Sequence, residues 1–194
     1  MTSDPGKAVN IPRRWRDADA ATRLWIYAQA IRELGEPLVF TLIFTCTAQD
    51  MMNDAEVHAV RYLAQRFRLH LPGIPYVFVA EMDKQGRLHI HGLVAAKGLA
   101  AGEIQTGLKR IVGDRRKVNG NQSERFLYDC ISVEVKPPNW EAECGGRYGV
   151  FGWASYMGKD IDATRTALGA KPISRSRSVF DKAQEIFSDI AQYH

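Results

Sequence analysis

The stretch Glu81–Val94, EMDKQGRLHIHGLV, reads as a β-hairpin whose second strand carries His89 and His91 on one face. Side chains at i and i+2 of a strand point the same way, so the two imidazoles stand about 7 Å apart along the strand and can converge on one ion. Lys84, Gln85 and Gly86 read as a three-residue loop, with Gly86 in the left-handed position that glycine occupies at least cost. Asp83 then faces Arg87, and Glu81 lies opposite His89. Two histidines and a carboxylate on neighbouring strands form a recognised metal-ligand set. Glu81 depends on the register, because a loop of two or four residues would turn it to the other face. The alternative for the tripeptide is a pair of polar residues on a solvent-facing strand, and the rest of the chain has to decide between the two.

Working outward, Tyr76–Met82 (YVFVAEM) and Leu88–Val94 form the hairpin strands, and the uncharged, β-branched PLVFTLIFTCT at 37–47 reads as a central strand. A helix capped by Asp17 is expected to run to Leu34, and another capped by Asp54 to His70, the latter with Val57, Val60, Leu63, Ala64 and Phe67 at helical spacing. Ala100–Val112 reads as a helix with Ile104, Leu108, Ile111 and Val112 inward, and FLYDCISVEVK at 126–136 as a fourth strand stopped by Pro137 and Pro138. The order β-α-β-β-α-β after one leading helix predicts an α+β domain. Its expected form is ferredoxin-like or RRM-like, a split βαβ antiparallel sheet with helices on one face and the active site on the other. N- and C-terminal helices are added to it. Residues 1–16 read as a flexible basic arm, 17–162 as the main domain, and 163–194 as a basic loop and an amphipathic helix striped by Val179, Ala183, Ile186, Phe187 and Ile190. A short helix is expected over 153–161, placing Tyr156 and Lys159 on one face.

With 194 residues, 45% hydrophobic and 25% charged, the composition is that of one ordinary globular domain. The net charge of +4 and a pI near 9.0 permit a nucleic-acid partner. Three cysteines without CxxC spacing argue against a disulfide framework and a zinc finger, and so point to a cytoplasmic setting. No run approaches the length of a membrane span.

Taken together, the FTLIFT strand at 40–45, Glu81 with His89-Ile90-His91, and the downstream Tyr156-Met157-Gly158-Lys159 resemble the HUH endonuclease superfamily. The likeness is closest to rolling-circle replication initiators with a single catalytic tyrosine, and it covers about residues 38–160. It implies a metal-dependent nuclease that nicks and rejoins single-stranded DNA at a replication origin. In that reading His89, His91 and Glu81 hold Mg²⁺ or Mn²⁺, Tyr156 is the nucleophile and Lys159 its aid, and the product is a 5′-phosphotyrosyl link. Arg13, Arg14, Arg16, Arg87, Arg115, Arg116, Lys117, Arg175 and Arg177 are candidate DNA contacts, and Trp15, Trp140 and Trp153 candidate base-stacking platforms. The chain has no GxxxxGK[ST] loop, so the resemblance implies either an isolated nuclease domain or a bacterial-type initiator that recruits a separate helicase. Tyr148 is a rival nucleophile without a lysine three residues on. Other readings are a single-tyrosine transposase or relaxase-like enzyme, a non-haem iron site, and a non-catalytic single-stranded nucleic-acid binder.

Overall fold

The computed structural model describes residues 12–44, 59–82, 88–112, 130–136, 149–168 and 171–192, with backbone alone at 112, 130–136 and 167–168. Several sequence expectations lie outside the described residues: the arm before residue 12, the Asp54 cap, the hairpin turn with Asp83 and Arg87, the cations Arg115, Arg116 and Lys117, residues 126–129, Trp140 and Tyr148. After a single 3-10 turn at Trp15–Asp17 come α1 (Ala20–Leu34), β1 (Pro37–Phe44), α2 (Ala59–His70), β2 (Tyr76–Met82), β3 (Leu88–Ala95) and α3 (Ala101–Val112). They are followed by β4 (Cys130–Lys136), α4 (Val150–Gly158), α5 (Ile161–Leu168), β5 (Ile173–Arg175) and α6 (Arg177–Ala191).

Three local expectations are corrected. The cap of α1 is Asp19, whose carboxylate accepts the Thr22 N–H at 2.7 Å, while Asp17 sits in the preceding turn and pairs with Arg16 at 3.7 Å. Asp19 stands three residues before the N–H it satisfies, which is the spacing a cap requires. The helix expected over 153–161 starts earlier, at Val150, and ends at Gly158, and the chain then enters α5. The stretch expected as a basic loop from 163 instead continues helix α5 to Leu168 and then forms a strand, Ile173–Arg175, which pairs antiparallel with Val77–Val79 and covers backbone groups that β2 would otherwise expose as an edge.

The strands form an antiparallel sheet in the order β4-β1-β3-β2-β5, an α+β arrangement compatible with a ferredoxin-like fold. The uncharged β1 is central, between β4 and β3. One face of the sheet presents Leu38, Phe40, Leu42 and Phe44 of β1, Phe78 and Ala80 of β2, and Leu88, Ile90 and Val94 of β3. Amphipathic α2 buries Val60, Leu63 and Phe67 against it, and α3 buries Ile104, Leu108 and Ile111. Gly92 makes this packing possible. A β-carbon there would stand 2.2 Å from Phe40 Cζ and 2.7 Å from the Val77 carbonyl oxygen, so the Phe40 ring occupies the space a side chain would need.

The opposite face was expected to be open, and most of it is not. Val39, Val77, Val79, Leu93 and Ala95 form a second apolar surface on that side. Leaving five such side chains in water would sacrifice their burial, and helices α1, α4 and α6 cover them with Leu24, Tyr27, Ile31, Ala154, Met157, Val179 and Phe187. The sheet is therefore sandwiched between helical layers, and Thr41, His91, His89 and Glu81 lie at the end of the second face nearest the hairpin turn. Among the described residues no helix is long and apolar enough to cross a membrane.

Candidate functional site

Strand pairing sets the site out in rows across the sheet. The apolar row Val39, Leu93, Val77 gives way, moving toward the hairpin turn, to Thr41, His91, Val79 and then to Ile43, His89, Glu81. Glu81 pairs with His89 and Met82 with Leu88, which is the register that a loop over 84–86 requires. His89 and His91 share a face, their ring centres 6.2 Å apart.

The imidazole of His91 is 5% exposed and fixed on several sides. Its Nδ1 lies 3.1 Å from the Thr41 hydroxyl, and its Nε2 3.5 Å from Glu81 Oε2. Burial, with the positive charge of Lys159 and the neighbouring His89 adding to it, lowers the His91 pKa to about 4. At neutral pH the ring is therefore uncharged, and its approach to Glu81 is not an ion pair. Nδ1 and the Thr41 hydroxyl share a hydrogen bond, and Nε2 faces the Glu81 carboxylate.

Helix α4 brings the remaining side chains. Val150, Ala154 and Met157 form its buried stripe, which leaves Trp153 and Tyr156, one helical step apart, beside that stripe and over the polar end of the sheet. The Tyr156 ring centre is 5.0 Å from that of His91, edge to face, and the residue is 41% exposed. Trp153 stacks on Tyr156 at 5.3 Å and 29°, meets His91 edge-on at 5.8 Å, and donates its indole N–H to the Gly92 carbonyl at 2.9 Å. Lys159 closes the cluster. Its ammonium is 3.3 Å from Glu81 Oε1 and 4.0 Å from the centre of the Tyr156 ring. Burial opposes the Lys159 charge, but a hydrogen bond with Tyr156 and the Glu81 carboxylate outweigh it and hold its pKa above the ordinary lysine value. Thr164 of α5, itself buried, receives the Met82 N–H at 3.5 Å and ties that helix to the end of β2 next to Glu81.

The structure thus brings Glu81, His89, His91, Tyr156 and Lys159 together. Glu81 Oε2 is buried and accepts no hydrogen bond, and with the two imidazoles it makes a nitrogen and oxygen donor set suited to a divalent cation. Glu81 is turned toward Lys159, and among the described residues no three His, Cys, Asp or Glu side chains are closed around a common point. Two members of the cluster were not assigned to it from the sequence. Thr41 was read only as part of a strand, and its contact with His91 spans fifty residues. Trp153 was read as a base-stacking platform, and one of its faces is already occupied by Tyr156.

The candidate DNA contacts that can be located stand elsewhere. Arg13, Arg14 and Arg16 are exposed beside the 3-10 turn, and Arg177 is exposed and paired with Asp181 at 2.9 Å. Arg175 pairs in register with Val77, four residues along β2 from Glu81, which is about 13 Å of strand. Trp15 packs against Tyr27, Phe180 and Phe187 with ring centres 5.6, 6.3 and 5.4 Å away, as a tryptophan of the second core.

No protein-family model, curated protein or solved structure matches the chain.

Proposed function

We propose that the protein is a single-tyrosine HUH-type endonuclease, of the kind that starts rolling-circle replication, on a split βαβ sheet. The reading is carried by one observation: Tyr156 sits edge-on to His91 while Lys159 reaches both Tyr156 and Glu81. His89, His91 and Glu81 would hold a divalent cation, Mg²⁺ or Mn²⁺. When bound, such a cation neutralises and polarises a phosphodiester, which otherwise repels nucleophiles by its charge.

The chain's own residues supply the rest. Trp153 holds the Tyr156 ring by stacking, so the nucleophile is presented with little freedom to lose. The Lys159 ammonium stabilises negative charge on the phenol oxygen, whose proton leaves to solvent. That oxygen forms a bond to the phosphorus, the bond from phosphorus to the 3′-oxygen breaks, and the leaving oxygen takes up a proton. One phosphodiester is exchanged for another, so the same site can rejoin strands. Thr41 fixes the His91 ring through Nδ1, the part an outer hydrogen-bond partner plays for a ligating histidine. The exposure of Tyr156 leaves room for a single strand to approach.

The test is incubation of the full chain with labelled single-stranded DNA and Mn²⁺, followed by denaturing electrophoresis. The expected result is a covalent protein–DNA adduct that disappears in Tyr156→Phe and persists in Tyr148→Phe. An adduct that survives Tyr156→Phe overturns the assignment of the nucleophile. Tight binding without any adduct favours the non-catalytic binder.

A further inference from the structure

At the other end of the second sheet face, Arg23 and Arg175 flank the aromatic cluster of Trp15, Tyr27 and Phe180. The Arg175 guanidinium carbon lies 4.5 Å from the centre of the Phe180 ring and 5.4 Å from that of Tyr27. Arg23 of α1 lies over Trp15 at 5.7 Å and donates through Nη2 to the carbonyls of Trp15 at 3.3 Å and Arg16 at 2.9 Å. The Nε of each is buried without a hydrogen-bond partner, and neither arginine has a carboxylate partner among the described residues. The rings they cover touch one another: Trp15 meets Tyr27 and Phe180 edge-on, with ring centres 5.6 and 6.3 Å apart. Burial raises the Tyr27 pKa, and Arg175 and then Arg23 act in the opposite direction.

Partly buried cations usually carry a paired anion, because desolvating an unpaired charge is costly. The acidic side chains nearby are engaged elsewhere: Asp17 with Arg16, Asp19 in the cap of α1, and Asp181 with Arg177. Aromatic faces and backbone carbonyls hold the two guanidiniums in position while leaving their charge uncompensated. A planar guanidinium fork matches the oxygens of a phosphate. Exposed Arg13 and Arg14, immediately before Trp15 in the chain, add positive charge beside this pair, which suits a polyanion better than a single small ion.

We propose that Arg23 and Arg175 form a phosphate-binding site for the backbone of a nucleic-acid strand, separate from the cluster of His91 and Tyr156. The choice of nucleic acid as the polyanion rests on the proposed function. The site holds the strand away from the reacting bond, at the opposite end of the sheet face, and contributes to binding, not to chemistry.

The experiment uses the full chain carrying Tyr156→Phe, which removes the proposed nucleophile, and measures anisotropy of a fluorescent single-stranded oligonucleotide over a salt series. The expected result for Arg23→Gln with Arg175→Gln is weaker binding to every sequence tried and a salt slope smaller by about 1 for each arginine. If the double variant stays folded and keeps the parent affinity and slope, the two arginines only pack against Trp15 and Phe180 and the proposal is overturned. A second measurement needs no substitution: oligonucleotide should protect Arg23 and Arg175 of the unaltered protein from an arginine-specific reagent, read by mass spectrometry. Unchanged labelling of both overturns the proposal even if the variants fail to fold. Failure of the nuclease reading would appear separately, as absence of the adduct while this protection persists.

Discussion

Replacing Trp153 tests whether the tyrosine is held for reaction or only happens to lie near the histidines. The indole contributes a stacked contact with Tyr156 at 5.3 Å and an N–H bond to the Gly92 carbonyl at 2.9 Å. An aromatic pair adds about 0.5–1.5 kcal/mol beyond its area, and a typical hydrogen bond about 1 kcal/mol. Trp153→Phe keeps a ring but loses the N–H, a cost of about 1 kcal/mol, whereas Trp153→Ala loses both, about 2 kcal/mol. If that energy goes into aligning the nucleophile, single-turnover adduct formation at saturating DNA slows roughly 5-fold in Trp153→Phe and roughly 30-fold in Trp153→Ala. The dissociation constant for DNA should change much less, because Trp153 is already stacked on Tyr156 rather than open to a base. The reasoning is refuted if the alanine variant, shown to be folded, forms adduct at the parent rate. An unchanged rate with strongly weakened binding would instead make Trp153 a base platform, as the sequence suggested.

The other predictions concern the metal, the core and pH. Mn²⁺ at about a hundred times its dissociation constant should stabilise the protein by about 2.7 kcal/mol, a rise of roughly 5–10 °C in melting temperature. Glu81→Gln and His89→Ala should abolish that rise and Arg177→Ala should keep it, as followed by differential scanning fluorimetry. Gly92→Ala drives a methyl group into Phe40 and the Val77 carbonyl, so chemical denaturation should show a loss of about 3 kcal/mol, and a loss near zero would mean that β1 and β3 are packed less closely than described. Burial raises the pKa of both Tyr27 and Tyr76 above 10.0. The folded state then holds more protons than the unfolded chain above that pH, so their contribution to stability is complete below about pH 10 and is lost as pH climbs through the raised values. Tyr76→Phe should flatten the fall in the urea midpoint between about pH 9 and about pH 11, and an unchanged slope would count against this origin of the alkaline loss.

Much of the hairpin was legible because its determinants are local. The alternation in YVFVAEM and LHIHGLV, with a glycine-containing turn between them, defines the strand faces and places Glu81 opposite His89 without reference to the rest of the chain. The stripe Val179, Ala183, Ile186 and Phe187 of α6 is buried as its spacing requires. The aromatic and β-branched run of β1 likewise marked it as a central strand. Tyr156 and Lys159 were related to each other by helical spacing alone, and their relation to His91 came from a motif resemblance.

Pairings between distant segments could not be read this way, because strand alternation says which residues share a face but not which strand lies alongside. Thr41 reaches His91 only because β1 and β3 align Thr41 with His91. The covering of the second face follows from apolar Val39, Val77, Val79, Leu93 and Ala95, yet α1, α4 and α6 come from opposite ends of the sequence to do it. That cover fills the middle of the face and brings Trp153, Tyr156 and Lys159 onto its hairpin end, beside His91 and Glu81. The sequence by itself determined the register that brings Glu81 opposite His89, the proposed donor set included, through local alternation and a short loop. The tertiary structure alone decided what surrounds that set, because burial of the remaining apolar face is a property of the whole chain.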